Sequence, residues 1–180
     1  MLSLTTPKAI VIRESKIVHK SRTINPLARF VTEEAVCLML NIKPENIYVV
    51  ECWRYMVYVH GKGVSKFVSY ADFPPILGVR PPTQAETAKW RRRWRKNFNP
   101  EYRKQAPQWW AKFFAGEASQ APSEPTLKSW SDLVESIKFA FNQESWEILQ
   151  KNLLSKWVKL NIKPHPQSLS LVRRGKPEAG

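Results

Sequence analysis

Residues 47–70 read Ile-Tyr-Val-Val-Glu-Cys-Trp-Arg-Tyr-Met-Val-Tyr-Val-His-Gly-Lys-Gly-Val-Ser-Lys-Phe-Val-Ser-Tyr. The β-branched and aromatic composition of residues 47–59 is typical of one long bent strand or of two strands. Gly61 and Gly63 permit the positive φ angles of a tight turn. Because residues 64–70 alternate as a return strand does, the stretch predicts a small antiparallel sheet, either a hairpin or three strands.

A short helix is predicted just before this sheet. Thr32 is a good N-cap residue, and two glutamates follow it, where the helix dipole favours negative charge. Asn41 can end the helix in a left-handed turn, and Pro44 prevents its continuation. These signals predict a helix over residues 33–41, and we expect it to pack on the sheet.

Further helices are predicted towards the C-terminus. Thr83 and Glu86 form the Thr-x-x-Glu capping box of a helix that should reach about Asn97. Beyond a segment rich in proline and small residues, apolar side chains recur at helical spacing, first around Trp130 and then around Trp146. The expected fold class is therefore α+β, with the sheet and its short helix followed by a basic helix and a C-terminal antiparallel helical hairpin.

The same patterns divide the chain into segments. We expect a basic, partly extended arm (1–30), an α+β domain with the basic helix (31–116), a linker (117–126), a helical hairpin (127–162) and a flexible tail (163–180).

The charge balance indicates the class of partner. The 180 residues include 29 Lys and Arg against 15 Asp and Glu, a formal net charge of +14. The excess is densest in residues 81–118. Because a strong positive field attracts polyanions, the balance favours DNA, RNA or an anionic membrane surface as the partner.

The residues that would support catalysis or metal binding are sparse. The two cysteines and three histidines have no zinc-ligand spacing, and the chain has neither a glycine-rich phosphate loop nor a Gly-x-Ser-x-Gly motif. We therefore expect no enzyme activity, no cofactor, no metal and no small-molecule substrate. No apolar run is long enough to span a membrane. With few cysteines, the protein is expected to be cytoplasmic.

The basic helix carries the main functional hypothesis. At about 100° per residue, Trp90, Trp94 and Phe98 form one aromatic stripe. A cationic face lies nearly opposite this stripe; its members are Lys89, Arg92, Arg93 and Lys96. We expect the tryptophans to anchor the helix to the protein body and the cations to face outward, although the tryptophans could instead stack on unpaired bases.

The leading hypothesis is a non-enzymatic nucleic-acid-binding protein, DNA or RNA, in a nucleoprotein assembly. The predicted phosphate contacts are Lys89, Arg91, Arg92, Arg93, Arg95, Lys96, Arg103, Lys104, Lys62 and Lys66. The alternative is a protein–protein adaptor or small subunit of a larger complex. Its predicted partner-binding residues are Trp109, Trp110 and Phe113, together with the C-terminal hairpin, because aromatic residues are enriched at binding hot spots. A membrane-surface protein is a third possibility.

Overall fold

The computed structural model describes residues 14–94, 99 and 104–160, and its central element is a mixed four-stranded sheet. The strands are β1 (Ile17–His19), β2 (Ile47–Cys52), β3 (Met56–Gly61) and β4 (Val64–Ser69), in the spatial order β1-β2-β3-β4. β2, β3 and β4 pair antiparallel, and β1 pairs parallel to β2. The expected α+β class is confirmed, with one edge strand more than we predicted.

Residues 47–59 form two strands rather than one. The chain turns at residues 53–55, where the Trp53 N–H donates to the Met56 carbonyl at 2.9 Å. Side chains alternate across the sheet, with Val57 and Val59 of β3 buried and Met56 exposed. The inner face therefore contributes to the core, while the outer face carries the remaining side chains of β2, β3 and β4.

Residues 14–30 belong to the folded body, which corrects the expectation that residues 1–30 are a separate, partly extended arm. β1 is in register with residues 50–52 of β2. A 3₁₀ turn at Pro26–Phe30 buries Leu27 and Phe30 in the core. Parallel pairing joins residues far apart in the sequence, so no local pattern signals it. The remainder of the expected arm, residues 1–13, lies outside the described residues.

Five α-helices accompany the sheet in the described part of the chain. They are α1 (Glu33–Leu40), α2 (Gln84–Arg93), α3 (Gln108–Gln120), α4 (Glu124–Ser136) and α5 (Gln143–Lys159). α1 begins and ends as predicted: the Thr32 side chain accepts from the Ala35 N–H, and Asn41 is left-handed, with φ of 52° and ψ of 48°. Among them, none is both long and apolar enough to cross a membrane.

The basic helix α2 is shorter than expected. Its capping box forms as predicted, but the helix ends at Arg93, with Trp94 as its C-cap, and not near Asn97. Its final residues are three consecutive arginines. Cations are favourable at the negative end of the helix dipole, so this sequence suits a helix end.

α3 extends through the first part of the predicted linker. The linker was expected to begin at residue 117, yet the helix continues to Gln120, so only residues 121–123 join it to α4. Ala118 is buried, and Lys156 of α5 donates to the Ser119 carbonyl at 2.8 Å. These tertiary contacts offset the roughly 1 kcal/mol that a helical glycine costs.

One continuous core joins the sheet region to the C-terminal helices. The two predicted C-terminal helices are present, but α5 packs most extensively against α3, so they do not form a separate hairpin unit. Trp110 of α3 contacts the rings of Phe114 and Phe141 at centroid distances of 6.4 Å. Residues 161–180, including the predicted tail, lie outside the described residues.

Candidate functional site

The N-terminus of α2 is held in place by a buried carboxylate. Glu86 accepts two hydrogen bonds from the Arg29 guanidinium, at 2.8 and 2.7 Å, and its side chain is only 5% exposed. It also accepts from the Thr83 N–H at 2.8 Å, which completes the capping box. These interactions lower the pKa of Glu86 to about 2, the Arg29 hydrogen bonds being the largest cause. The helix start is thereby fixed to the 3₁₀ turn that contains Arg29.

The tryptophans of α2 anchor the helix, as predicted. Trp90 is fully buried, its indole N–H donates to the Phe73 carbonyl at 3.0 Å, and its ring meets Phe30 edge-on at 5.4 Å. Trp94 is buried against Trp110, with ring centroids 5.6 Å apart. Neither ring can stack on a base in this structure. Phe98, the third member of the predicted stripe, lies outside the described residues.

Three cations of α2 share one exposed side of the helix. Lys89, Arg92 and Arg93 lie at positions i, i+3 and i+4, which place them together. The Arg93 Nε donates to the Asp72 carboxylate at 2.8 Å. Within the described chain, Lys89 and Arg92 form no ion pair. Their charges are therefore available to an anion from solution.

These cations form one wall of a cleft of about 390 Å³, which we call the basic cleft. Its lining residues are Asn25, Leu27, Tyr55, Ser69, Tyr70, Ala71, Lys89, Arg92 and Arg93. The opposite wall is the turn between β2 and β3. Asn25 Nδ2 donates to the Arg54 carbonyl at 3.0 Å, and the Tyr70 hydroxyl donates to the Trp53 carbonyl. Hydrogen bonds from Asn25 and Tyr70 thus hold the turn, as those of Trp90 and Glu86 hold α2.

The other predicted phosphate contacts lie elsewhere or outside the described residues. Arg91 points away from the cleft and stacks over the Phe139 ring at 4.7 Å. Lys62 occupies the turn between β3 and β4, about 20 Å along the strands from the cleft. Lys66 is in register with Val59, on the side of the sheet opposite Phe67. Lys104 is exposed before α3, and Arg95, Lys96 and Arg103 are not among the described residues.

The predicted partner-binding residues are largely inaccessible, which corrects that expectation. Trp110 and Phe113 are buried in the core, and the Trp110 indole N–H donates to the Asp72 carbonyl at 3.1 Å. Adjacent residues cannot share a helix face, and Trp109 is accordingly left half-buried. Of the three residues, only Trp109 offers accessible surface to a partner.

The neutral residues of the cleft were not identified from the sequence. Tyr55 is 72% exposed, and Asn25 and Ser69 bring polar side chains to the same cleft. The aromatic run Trp53-Arg54-Tyr55 resembles a strand, so its turn is not evident. Asn25 before Pro26 is a recognisable turn signal, but nothing local connects it to residue 54.

The cysteine, histidine and acidic side chains near the sheet do not gather into a metal site in the described part of the chain. Cys52 faces the core and His60 the outer face, so they do not meet, and burial raises the pKa of the Cys52 thiol. Glu51 pairs with Lys20, whereas Asp72 pairs with Arg93. The described residues contain no group of three or more metal-ligating side chains.

Comparison of the chain with protein-family models, with curated proteins and with solved structures finds no match.

Proposed function

We propose that this protein is a non-enzymatic nucleic-acid-binding protein that contacts phosphates through the basic cleft. The observation that carries the proposal is the pair Lys89 and Arg92, which face the cleft beside Arg93 without carboxylate partners of their own in the described chain. A guanidinium presents a planar fork that matches phosphate oxygens, and an ammonium is a compact point charge for the same group.

The energetics of α2 favour an anionic ligand. Like charges at i, i+3 and i+4 destabilise an isolated helix by about 0.2–0.5 kcal/mol per pair. The chain offsets this repulsion with Asp72 at Arg93 only, and Lys89 and Arg92 remain uncompensated in the described residues. A phosphate in the cleft would supply the missing negative charge. The net charge of +14 adds a field that attracts polyanions over a longer range.

The cleft is also preorganised for binding. Trp90 and the Glu86–Arg29 ion pair fix α2, so the cations are presented by a helix that is already ordered. Asn25 and Tyr70 fix the opposite wall. Binding therefore costs less conformational entropy than the same cations would on a flexible arm. Assembly with other proteins on the nucleic acid is part of the proposal.

The test is reversal of the two unpaired charges. We expect Lys89→Glu/Arg92→Glu to weaken binding of labelled DNA or RNA oligonucleotides in fluorescence anisotropy titrations. The slope of log K against log salt is negative. If the two side chains each contact one phosphate, its magnitude should decrease by about 1.4–1.8 in the double variant, measured between about 50 and 200 mM salt. Arg93 is kept because its loss would break the ion pair with Asp72.

The matched control is Lys128→Glu/Lys151→Glu, which makes the same change in net charge at exposed positions of α4 and α5. The control should retain most of the affinity. Equal losses in the two double variants would show that binding depends on overall charge and not on the cleft. Absence of oligonucleotide binding by the unaltered protein would refute the proposal.

A further inference from the structure

The outer face of the sheet carries a group of aromatic side chains that the proposed phosphate contacts do not use. It consists of Tyr48, Tyr58, His60 and Phe67, and we call it the aromatic face. Phe67 is 58% exposed and Tyr48 55% exposed, although both are large apolar rings. Buried valines such as Val57 and Val68 lie on the inner face of the same strands. The exposed rings are therefore not required to fill the core.

The four rings form one continuous surface across three strands. Tyr58 and Phe67 are directly opposite in the β3–β4 register, with ring centroids 5.0 Å apart. His60 lies parallel to Tyr58, with an interplanar angle of 5°, and meets Tyr48 edge-on at 5.3 Å. The Tyr58 hydroxyl is 2.6 Å from Ser65 Oγ, within hydrogen-bond distance, which fixes the Tyr58 ring.

This surface is continuous with the basic cleft. Ser69, which lines the cleft, is in register with Met56, and both follow the same alternation as Tyr58 and Phe67. Met56 is 44% exposed, and the adjacent Tyr55 lines the cleft. A ligand extending along β3 and β4 from the cleft would pass directly onto the rings.

We infer that the ligand is single-stranded nucleic acid, whose bases stack on the aromatic face while its phosphates contact Lys89 and Arg92. This inference rests on the proposed function and specifies its substrate class. Exposed aromatic rings stack on bases of any sequence, but a duplex buries its base faces in its own stack. Only an unpaired strand can therefore use the rings and the cations together.

The charges around the aromatic face favour a single-stranded nucleic acid over a protein as its ligand. The nearest carboxylate on the outer side of β2, Glu51, is paired with Lys20 at 3.5 Å. Glu51 is in register with Tyr58, so its pairing with Lys20 offsets a negative charge beside the rings, and the cations of the cleft lie near the Met56–Ser69 end of β3 and β4. A single strand supplies both a planar aromatic group and a negative charge at every nucleotide, which is the combination that this continuous surface presents.

The experiment compares binding of a labelled single strand with binding of a hairpin duplex of equal charge. For the full chain we expect the single strand to bind at least about tenfold more tightly. Tyr58→Ala/Phe67→Ala should weaken single-strand binding at least about tenfold and leave duplex binding unchanged, because base stacking on even one of the two rings contributes roughly that factor. Tyr58→Phe should bind as the unaltered protein does.

Two further variants make the result decisive. Tyr58→Leu/Phe67→Leu keeps apolar area on the strands but removes the rings, so it should lose affinity even if the alanine variant folds poorly. Ile148→Ala/Val158→Ala removes exposed apolar side chains from α5 as the matched control and should bind normally.

Three results would overturn the inference. Equal affinity for both ligands would show that unpaired bases are not recognised. Unchanged single-strand binding by the leucine variant would show that the rings do not stack. A ring-dependent dimer in sedimentation, with unchanged single-strand binding, would identify the face as a protein contact. In each of these cases the proposed function still stands, whereas it fails if the unaltered protein binds neither ligand.

Discussion

Replacing Glu86 by Gln tests the ion pair that holds the basic helix. The glutamine keeps a side-chain oxygen for the Thr83 N–H, so the substitution mainly removes the charge that faces Arg29. The folded-state pKa of Glu86 is about 2, against an ordinary value of 4.5. At about 1.4 kcal/mol per tenfold difference in proton affinity, the charge contributes about 3 kcal/mol of stability at neutral pH. This agrees with the cost of breaking a largely buried pair.

The pH dependence gives a second, independent check. Because the folded-state pKa is lowered, the stabilisation is fully present above pH 4.5 and is lost as the pH falls towards 2. The difference in the free energy of unfolding between the native protein and Glu86→Gln should therefore be about 3 kcal/mol at pH 7 and roughly 1.5 kcal/mol at pH 3. Urea unfolding followed by tryptophan fluorescence at several pH values measures both quantities.

The control is Glu135→Gln, which removes an exposed carboxylate 3.9 Å from Lys138. Exposed pairs contribute little, so its effect should stay below about 0.5 kcal/mol at every pH. The reasoning is refuted if Glu86→Gln costs less than about 1 kcal/mol at pH 7. It is also refuted if the cost is the same at pH 3 and pH 7, because a loss of packing alone would have no such pH dependence.

Two further predictions concern stability elsewhere in the fold. Burial, with Glu34 beside it, raises the pKa of Glu117 from 4.5 to about 7, so stability should fall as the pH rises through that interval. In thermal melts between pH 4 and 8, Glu117→Gln should remove this fall in stability, whereas the control Glu124→Gln should keep it. If Tm varies with pH in the same way for the native protein and for Glu117→Gln, Glu117 is not the group responsible. A Cβ at Gly61 would lie 2.6 Å from the Asn46 carbonyl oxygen, so Gly61→Ala should cost about 1–3 kcal/mol in urea unfolding. Gly116→Ala, with open space in α3, should instead stabilise by up to about 1 kcal/mol, and a neutral Gly61→Ala would show that the close approach relaxes freely.

The proposed interface combines two kinds of residue that differ in how visible they are in the sequence. The cations Lys89, Arg92 and Arg93 stand in a run whose helical spacing is evident. Tyr55 belongs to a strand-like aromatic stretch, and it lines the cleft only because the chain turns at residues 53–55. The cationic wall was therefore predicted, and the neutral wall was not.

Local signals determined most of the secondary structure. Caps act over three or four residues, so Thr32, Asn41 and the Thr83–Glu86 box could be assigned from neighbouring residues alone, and each forms as predicted. The alternation along β4 likewise separates the buried Val68 from the exposed Phe67. The spacing of Trp90 and Trp94 indicated which side of the basic helix faces the core.

Only the tertiary structure decided what these elements meet. β1 joins the sheet through pairing with β2, and α3 continues past Gly116 because Ala118 is buried and Lys156 reaches the Ser119 carbonyl. The burial of Trp110 is equally a matter of its neighbours in space. Such contacts link residues distant in sequence, and their free energies exceed the local preferences of about 1 kcal/mol that a sequence pattern expresses. The charge was therefore visible in the sequence, whereas the cleft that gathers part of it depends on the fold.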